Sequence, residues 1–376
     1  MRLIVDENIP FGKEAFENFG DVELHAGREV NAESCRDVDA LVVRSITKVN
    51  ESLLKDSSVK FVGTTTIGTD HIDKEYLKKE NISFSSAPGC NSYSVAEYVF
   101  SAIAFSVNKH NLNLKNLSIG VVGYGNIGKK VVAIAQSIGM KVIVCDPPLQ
   151  RSTKQREFST LKETLKCDII TFHVPLNRDG VDKTLHLLDE ESLKIIKPNA
   201  ILINSSRGPV VSNDALKKRL QKSNDIHAII DVWESEPDYD VELLELVEIA
   251  TPHIAGYSFE GKVNGTLMIY DALSKLTNSS HSYKPKFPQI ENPEILLDEK
   301  ESLESLLLKL FICSYDIMED DKLIRESAKL PLQERKKQFD KLRKTYRVRR
   351  ELSNFSTTLN SYNERYRAVL EQLRVT

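Results

Sequence analysis

Short apolar runs alternate with amphipathic stretches along most of this chain, and that rhythm predicts its elements. Leu3–Val5, Ala40–Val43, Lys60–Gly63 and Ile82–Phe84 are brief β-type runs separated by polar, helix-compatible segments, the signature of a small parallel α/β unit. From Ser92 to about Lys109, residues Val95, Ala96, Val99, Phe100, Ile103 and Ala104 recur at helical spacing. The strand–helix rhythm then resumes. Asp168–His173, Ala200–Asn204, Ala228–Asp231 and Val247–Thr251 read as buried strands, with helices such as Ser192–Ile196 and Asn213–Leu220 between some of them. With the strands flanking residues 123–141, at least six parallel strands are expected, enough for a doubly wound sheet. A helix over about Phe259–Leu276 returns the chain. The Ser-, Asn- and Pro-rich stretch Asn278–Pro293 reads as a linker, and Ser302–Ile317 as an apolar helix.

At 376 residues, two or three domains are expected. We place them at 1–92 with about 258–280, at 93–257, and at 281–376. A chain 41% hydrophobic and 28% charged, with net charge −3, resembles an ordinary globular protein and offers no global attraction for nucleic acid. No run approaches the roughly 18 apolar residues of a membrane span. Met1–Asp6 leads directly into a strand, leaving no room for a signal peptide, and the five scattered cysteines lack metal-ligand spacing. A reduced cytoplasmic setting without a metal is the expectation.

The most specific pattern is Gly123-Tyr124-Gly125-Asn126-Ile127-Gly128. It follows the strand Ser118–Val122 and precedes a helix with Val131, Val132, Ile134, Ala135 and Ile138 on one face. A second strand, Val142–Cys145, then ends on Asp146. This is a dinucleotide-binding βαβ unit: Gly123 makes the turn, Gly125 admits a pyrophosphate, and Gly128 permits close packing. The amides of Asn126 and Ile127 open the helix toward the phosphates. Asp146 can accept both ribose hydroxyls and repels a 2′-phosphate, so NAD is expected rather than NADP.

Three polar side chains lie just beyond other strands of the same sheet: Arg207, Glu236 and His253. Oxidation of a hydroxy acid needs these types. An imidazole takes the hydroxyl proton as hydride leaves, a carboxylate fixes its tautomer, and a guanidinium clamps the substrate carboxylate. Walker, zincin and serine-hydrolase motifs are absent, and His71, His173 and His227 read as structural. In the first unit, the loops Arg44–Lys48 and Thr64–His71 either contact substrate or satisfy turn backbones. The basic stretch 331–350, with nine Lys or Arg against two acids, fits a solvated helix face, a phosphate contact or a nucleic-acid patch. An oligomer contact is the expected use of the C-terminal region.

Several of these motifs together resemble the D-isomer-specific 2-hydroxyacid dehydrogenases: the glycine loop with Asp146, Asn-Ser-Ser-Arg-Gly-Pro-Val-Val at 204–211, Asp-Val-Trp-Glu-Ser-Glu-Pro at 231–237, and Thr-Pro-His-Ile-Ala-Gly at 251–256. The resemblance extends over nearly the whole chain. It includes Val-Arg-Ser-Ile-Thr-Lys at 43–48, Gly-Thr-Asp-His-Ile-Asp at 68–73 and the tail around Phe339–Tyr346. It implies a doubly wound NAD-binding Rossmann domain, a smaller flavodoxin-like α/β substrate domain and a C-terminal α+β dimerisation domain. It also implies NAD-dependent oxidation of a phosphorylated 2-hydroxy acid by a homodimer, with His253 as proton donor and acceptor and Arg207 and Glu236 as its partners. Asp146, Val174, Ser206, Asp231 and Gly256 would contact NAD; Arg44, Ser45, Thr66 and Tyr257 would contact substrate. Val174 departs from the family, which can carry Thr there. The alternatives are a dehydrogenase of another 2-hydroxy acid, such as 3-phosphoglycerate or glycerate, and an NAD-sensing corepressor on the same scaffold.

Overall fold

The protein's structure, a computed structural model, describes residues 1–153, 157–298, 300–358 and 364–376. The chain divides into two compact units, Met1–Asn91 with Ser258–Gln289, and Ser92–Tyr257 with Ile290–Thr376.

The first unit is built on five parallel strands: β1 (Arg2–Asp6), β2 (Asp21–His25), β3 (Ala40–Val43), β4 (Phe61–Thr64) and β5 (Ser83–Ser85). Their order, β2-β1-β3-β4-β5, is the flavodoxin-like one. β3 is wholly buried because both faces of the sheet are covered, so its sequence is a continuous apolar run. The pattern analysis missed β2. Asp21-Val22-Glu23-Leu24-His25 is a largely exposed edge strand with polar residues at alternate positions. The helix Phe259–Thr277 belongs here: its Ile269, Tyr270 and Leu273 close the core over Leu3, Val5, Phe16 and Phe61.

The second unit carries six further parallel strands, β6 (Ser118–Val122), β7 (Lys141–Cys145), β8 (Ile169–Phe172), β9 (Ala200–Asn204), β10 (Ile226–Ile230) and β11 (Ile249–Ala250). Their order is β11-β10-β9-β8-β6-β7, as expected of a doubly wound sheet. Successive strands build outward in opposite directions from β6, so the direction reverses beside it. The loop after β6 therefore opens at the sheet's switch point, where such sheets bind ligands. The helix Ser92–Lys109 is buried along most of its length and covers this sheet.

The C-terminal segment shares this unit's core. Leu303, Leu306, Leu307, Leu310 and Phe311 of the helix Leu303–Ser314 join Val95, Val99 and Ile103 in one apolar cluster. The helix expected over Ser302–Ile317 is Leu303–Ser314. It ends at Tyr315, and Asp316 starts Ile317–Ala328 by accepting the Met318 N–H at 2.9 Å. A third helix, Leu332–Lys344, carries the basic stretch, and a two-stranded parallel ribbon pairs β12 (Glu294–Ile295) with β13 (Ser356–Thr357). Among the described residues no helix is long and apolar enough to cross a membrane.

A buried charged cluster pins the C-terminal segment to Ser92–Lys109. Glu97 accepts from the Leu352 N–H at 3.1 Å and from Arg374 at 3.2 Å, and Arg374 also pairs with Glu351 at 2.7 Å. Burial and the neighbouring Glu351 push the Glu97 carboxyl up to about 8, against the pull of Arg349 and Arg374. The folded-state value lies above the ordinary 4.5 of a glutamate, so the native state holds this proton longer. Glu97 therefore erodes stability as pH climbs between those two values. In chemical denaturation, Glu97→Gln should flatten that decline, whereas Glu97→Ala, which strips the Leu352 N–H of its acceptor and Arg374 of one of its two, should cost about 2 kcal/mol. An Ala variant as stable as wild type would contradict this account.

Candidate active site

Both ends of the glycine loop are shaped by close approach. Gly123 has φ +96°, and a Cβ there would lie 2.5 Å from the His173 carbonyl oxygen and 3.0 Å from Val174 Cγ1. At Gly128 it would lie 2.0 Å from the Gly123 carbonyl oxygen, so only glycine lets the helix start against the turn. Gly125 faces open space, with nothing within 4 Å of a Cβ. No side chain caps the helix Asn126–Ile138, so its first amides and its positive dipole end meet that space. Just past β7, Asp146 accepts the Tyr124 N–H at 2.7 Å and the Leu149 N–H at 2.9 Å. Its carboxylate is thereby aimed across the mouth of the loop. An uncapped helix start, an open glycine and a held carboxylate fit the pyrophosphate and ribose of a dinucleotide.

Val174 borders Gly123, as expected of a residue at the cofactor loop. His173 is half-buried with its Nδ1 sealed from solvent, and desolvation pushes its imidazole down to about 3, which keeps it neutral; it lies 3.0 Å from the Thr171 hydroxyl.

The three predicted catalytic side chains sit beyond β9, β10 and β11. Glu236 Oε1 and His253 Nδ1 are 2.5 Å apart. Burial would raise the Glu236 carboxyl, but His253 and then Arg343 outweigh it and hold the group below its ordinary value. Glu236 also accepts the Trp233 N–H at 3.3 Å, which anchors the other carboxylate oxygen. With Nδ1 turned to Glu236, Nε2 is the candidate nitrogen for proton exchange. Arg207 bonds the Ser206 carbonyl through Nη1 at 2.8 Å. Ser206 is itself buried, and its N–H and hydroxyl both donate to Asn204 Oδ1.

Asp231, expected at the cofactor, is held from within the protein. Its carboxylate is buried and filled by protein donors: the Thr251 hydroxyl at 2.6 Å, the Ile254 N–H at 2.8 Å and the Ala255 N–H at 3.1 Å. Its backbone carbonyl accepts the His253 N–H at 2.7 Å. His253 adopts a left-handed φ of +59°, which these bonds over-determine. Burial pushes the Asp231 carboxyl up, opposed by His253 and by its hydrogen bonds. Thr251, which the pattern analysis missed, also meets the Tyr98 hydroxyl at 2.8 Å. Gly256 and Tyr257 complete the loop, and the Tyr257 ring meets Tyr346 edge-on at 5.7 Å.

In the first unit, Arg44 and Ser45 follow β3 and Thr66 follows β4. The Thr66 hydroxyl donates to the Gly68 carbonyl at 2.9 Å and lies 2.9 Å from Thr64, which reaches His71 at 3.0 Å. Lys262, four residues into the return helix region and given no role by its sequence position, lies near Arg44; burial and then that arginine lower its ammonium to about 8. In the second unit, His227 stacks on His110 with ring centres 3.8 Å apart, beside Glu248.

Residues 101–255 match the family model described as D-isomer specific 2-hydroxyacid dehydrogenase, NAD binding domain, and residues 287–373 match a domain of unknown function, DUF3410. An erythronate-4-phosphate dehydrogenase from Escherichia fergusonii is 43% identical over 362 residues, covering 94% of this chain and 93% of that protein. Its counterpart from Enterobacter sp. strain 638 is 43% identical over 357 residues, at the same coverage. Among solved structures, the D-lactate dehydrogenase of Aquifex aeolicus, complexed with NAD and lactic acid, superimposes with a TM-score of 0.61 at 27% identity, covering 74% of this chain and 96% of that one. The NAD+-bound 3-phosphoglycerate dehydrogenase of Entamoeba histolytica gives 0.63 at 26% identity, with the same coverages. Likeness to full-length relatives at this identity means that the chain belongs to the D-isomer-specific 2-hydroxyacid dehydrogenases, in the erythronate-4-phosphate dehydrogenase branch.

Proposed function

We propose that this protein oxidises 4-phospho-D-erythronate at C2 to (R)-3-hydroxy-2-oxo-4-phosphooxybutanoate with NAD, a step of pyridoxal 5′-phosphate biosynthesis. The observation that carries the reaction type is the 2.5 Å contact between Glu236 and His253, on the same sheet edge as the glycine loop. The substrate assignment draws on the relatives named for erythronate 4-phosphate, 43% identical over 94% of the chain.

NAD, held by the Gly123–Gly128 loop, the helix amides of Asn126 and Ile127, and Asp146, accepts the hydride when bound. Val174, Ser206 and Gly256 border the same site, and Asp231 serves it by holding the loop that carries His253. His253 takes the C2 hydroxyl proton on Nε2, because Nδ1 is turned to Glu236. Glu236 stays anionic at neutral pH, fixes the ring's orientation and stabilises the imidazolium that results. Arg207 grips the substrate carboxylate, its guanidinium steadied by the Ser206 carbonyl. Arg44, Ser45, Thr66 and Tyr257 are the remaining substrate contacts in this reading. A homodimer formed through the C-terminal segment and a cytoplasmic location complete it; five free cysteines, four of them buried, suit a reducing compartment.

Steady-state assays with NAD and each phosphorylated acid test the reading. Turnover of 4-phospho-D-erythronate is expected. Turnover of 3-phosphoglycerate alone would reassign the substrate, and turnover of neither would favour an NAD-sensing protein. His253→Ala should lower turnover by about 10² to 10⁴ while leaving NAD binding, followed by fluorescence titration, nearly unchanged; near-normal turnover would remove His253 from its role. Asp146→Asn keeps one of its two backbone hydrogen bonds and loses the charge, and should shift the NADP-to-NAD affinity ratio toward NADP by about tenfold. An unchanged ratio would mean that Asp146 does not read the ribose.

A further inference from the structure

The basic stretch of the C-terminal segment separates by what each cation meets. Arg335 and Lys336 pair with Asp238 at 3.6 and 2.9 Å. Arg347 pairs with Asp320 at 2.5 Å and with Glu319 at 3.3 Å. Arg349 donates to the backbone carbonyls of Ser94 and Ala255 at 2.7 and 3.1 Å. These are structural tasks. Arg343 differs. It hydrogen-bonds the Tyr257 side chain, and its guanidinium lies 5.8 Å from the centre of that ring and 5.9 Å from the Phe339 ring. Its Nε is buried with no hydrogen-bond partner among the described residues. The acids that face it are Glu236 and Asp231, the two that surround His253.

We propose that Arg343, supplied by the C-terminal segment, is a positioning residue of the active site that holds the Tyr257 hydroxyl and keeps the Glu236 carboxylate charged against His253. The register of its helix allows this. Arg335, Phe339 and Arg343 recur every four residues along Leu332–Lys344, and Phe339 is fully buried in the sheet's lower cluster, so this face is turned toward the protein. Arg335 lies over Tyr239 at one end of that face, and Arg343 reaches Tyr257 at the other. Arg343 and Asp231 are charged groups that act on the Glu236–His253 pair, and Glu236 also accepts the Trp233 N–H. Arg343 brings its positive charge to the pair from the C-terminal segment. A fixed positive charge there disfavours the protonated pair, so its removal lets the pair keep its proton to higher pH. The dehydrogenase with 4-phospho-D-erythronate as substrate requires the unprotonated imidazole, so the acid limb of kcat/KM reports that change.

The inference rests on the proposed reaction, and two readouts keep the two separable. The first is the pH profile of kcat/KM for the full-length wild type, Arg343→Gln, Arg343→Lys and Arg335→Gln. The second is an NMR titration of ¹³C-labelled histidines, with His253 assigned by its loss in His253→Asn. Arg343→Gln should lower kcat/KM by about tenfold. It should also move both the acid limb and the His253 titration up by roughly one pH unit. Arg343→Lys should restore the limb, and Arg335→Gln should leave it in place. Lost activity with an unmoved limb and an unmoved His253 signal would reduce Arg343 to a structural residue, as would equal shifts in the Gln and Lys variants. If Arg343→Gln does not fold, the apolar isostere Arg343→Met takes its place with the same two criteria. Should the wild type turn over no substrate, the proposed reaction fails, and the His253 titration still decides the part played by Arg343.

Discussion

Asp231 grips one loop from beneath, and the placement of His253 depends on that grip. A carboxylate sealed below the end of β10 takes the Thr251 hydroxyl and the Ile254 and Ala255 amides, while its own carbonyl takes the His253 amide. These bonds hold a histidine in the left-handed region, which costs an ordinary side chain roughly 1–2 kcal/mol. The turn aims the imidazole at Glu236. An acid buried in this way would be a liability without hydrogen-bond donors. Here it has three, and the same low-dielectric setting that raises its carboxyl makes those bonds strong.

The C-terminal segment holds the same loop from another direction. Arg349 bonds the Ala255 carbonyl, which also accepts the Ser94 hydroxyl, and Tyr346 meets the Tyr257 ring. The segment's own attachment is apolar, through Leu303–Ser314 against Ser92–Lys109, and is fastened by the Glu97, Glu351 and Arg374 cluster. A region of this size gains a stable fold by sharing an existing core, since a core of its own would be small. Sharing that core places its basic helix beside the loop that carries His253 and Tyr257.

Much of the first-order design was legible in the residues. The run of parallel strands, the helix Ser92–Lys109 and the dinucleotide loop each come from local causes: period, β-branching and glycine at fixed offsets. Arg207, Glu236 and His253 were legible as well, because a parallel sheet delivers its strand ends to one edge. What escaped was either unlike its kind or without local cause. The edge strand β2 is half polar, so it lacks the apolar run of its neighbours. Half of the residues in the helix Ile317–Ala328 are charged, so no apolar run announces it.

The chain's own pattern therefore determined a doubly wound fold, an NAD-type glycine loop and a set of candidate catalytic side chains, because each depends on neighbours within about 30 residues. Only the tertiary structure decided that Asp231 is an anchor with its carboxylate filled, that Thr251 and Tyr98 join it, and that Arg343 of the basic stretch faces Glu236. These outcomes depend on contacts between segments as far apart as Tyr98 and Thr251. A charge run reads alike whether its helix faces solvent or a catalytic loop. The burial of Phe339 settles which, and that burial exists only once the sheet is formed.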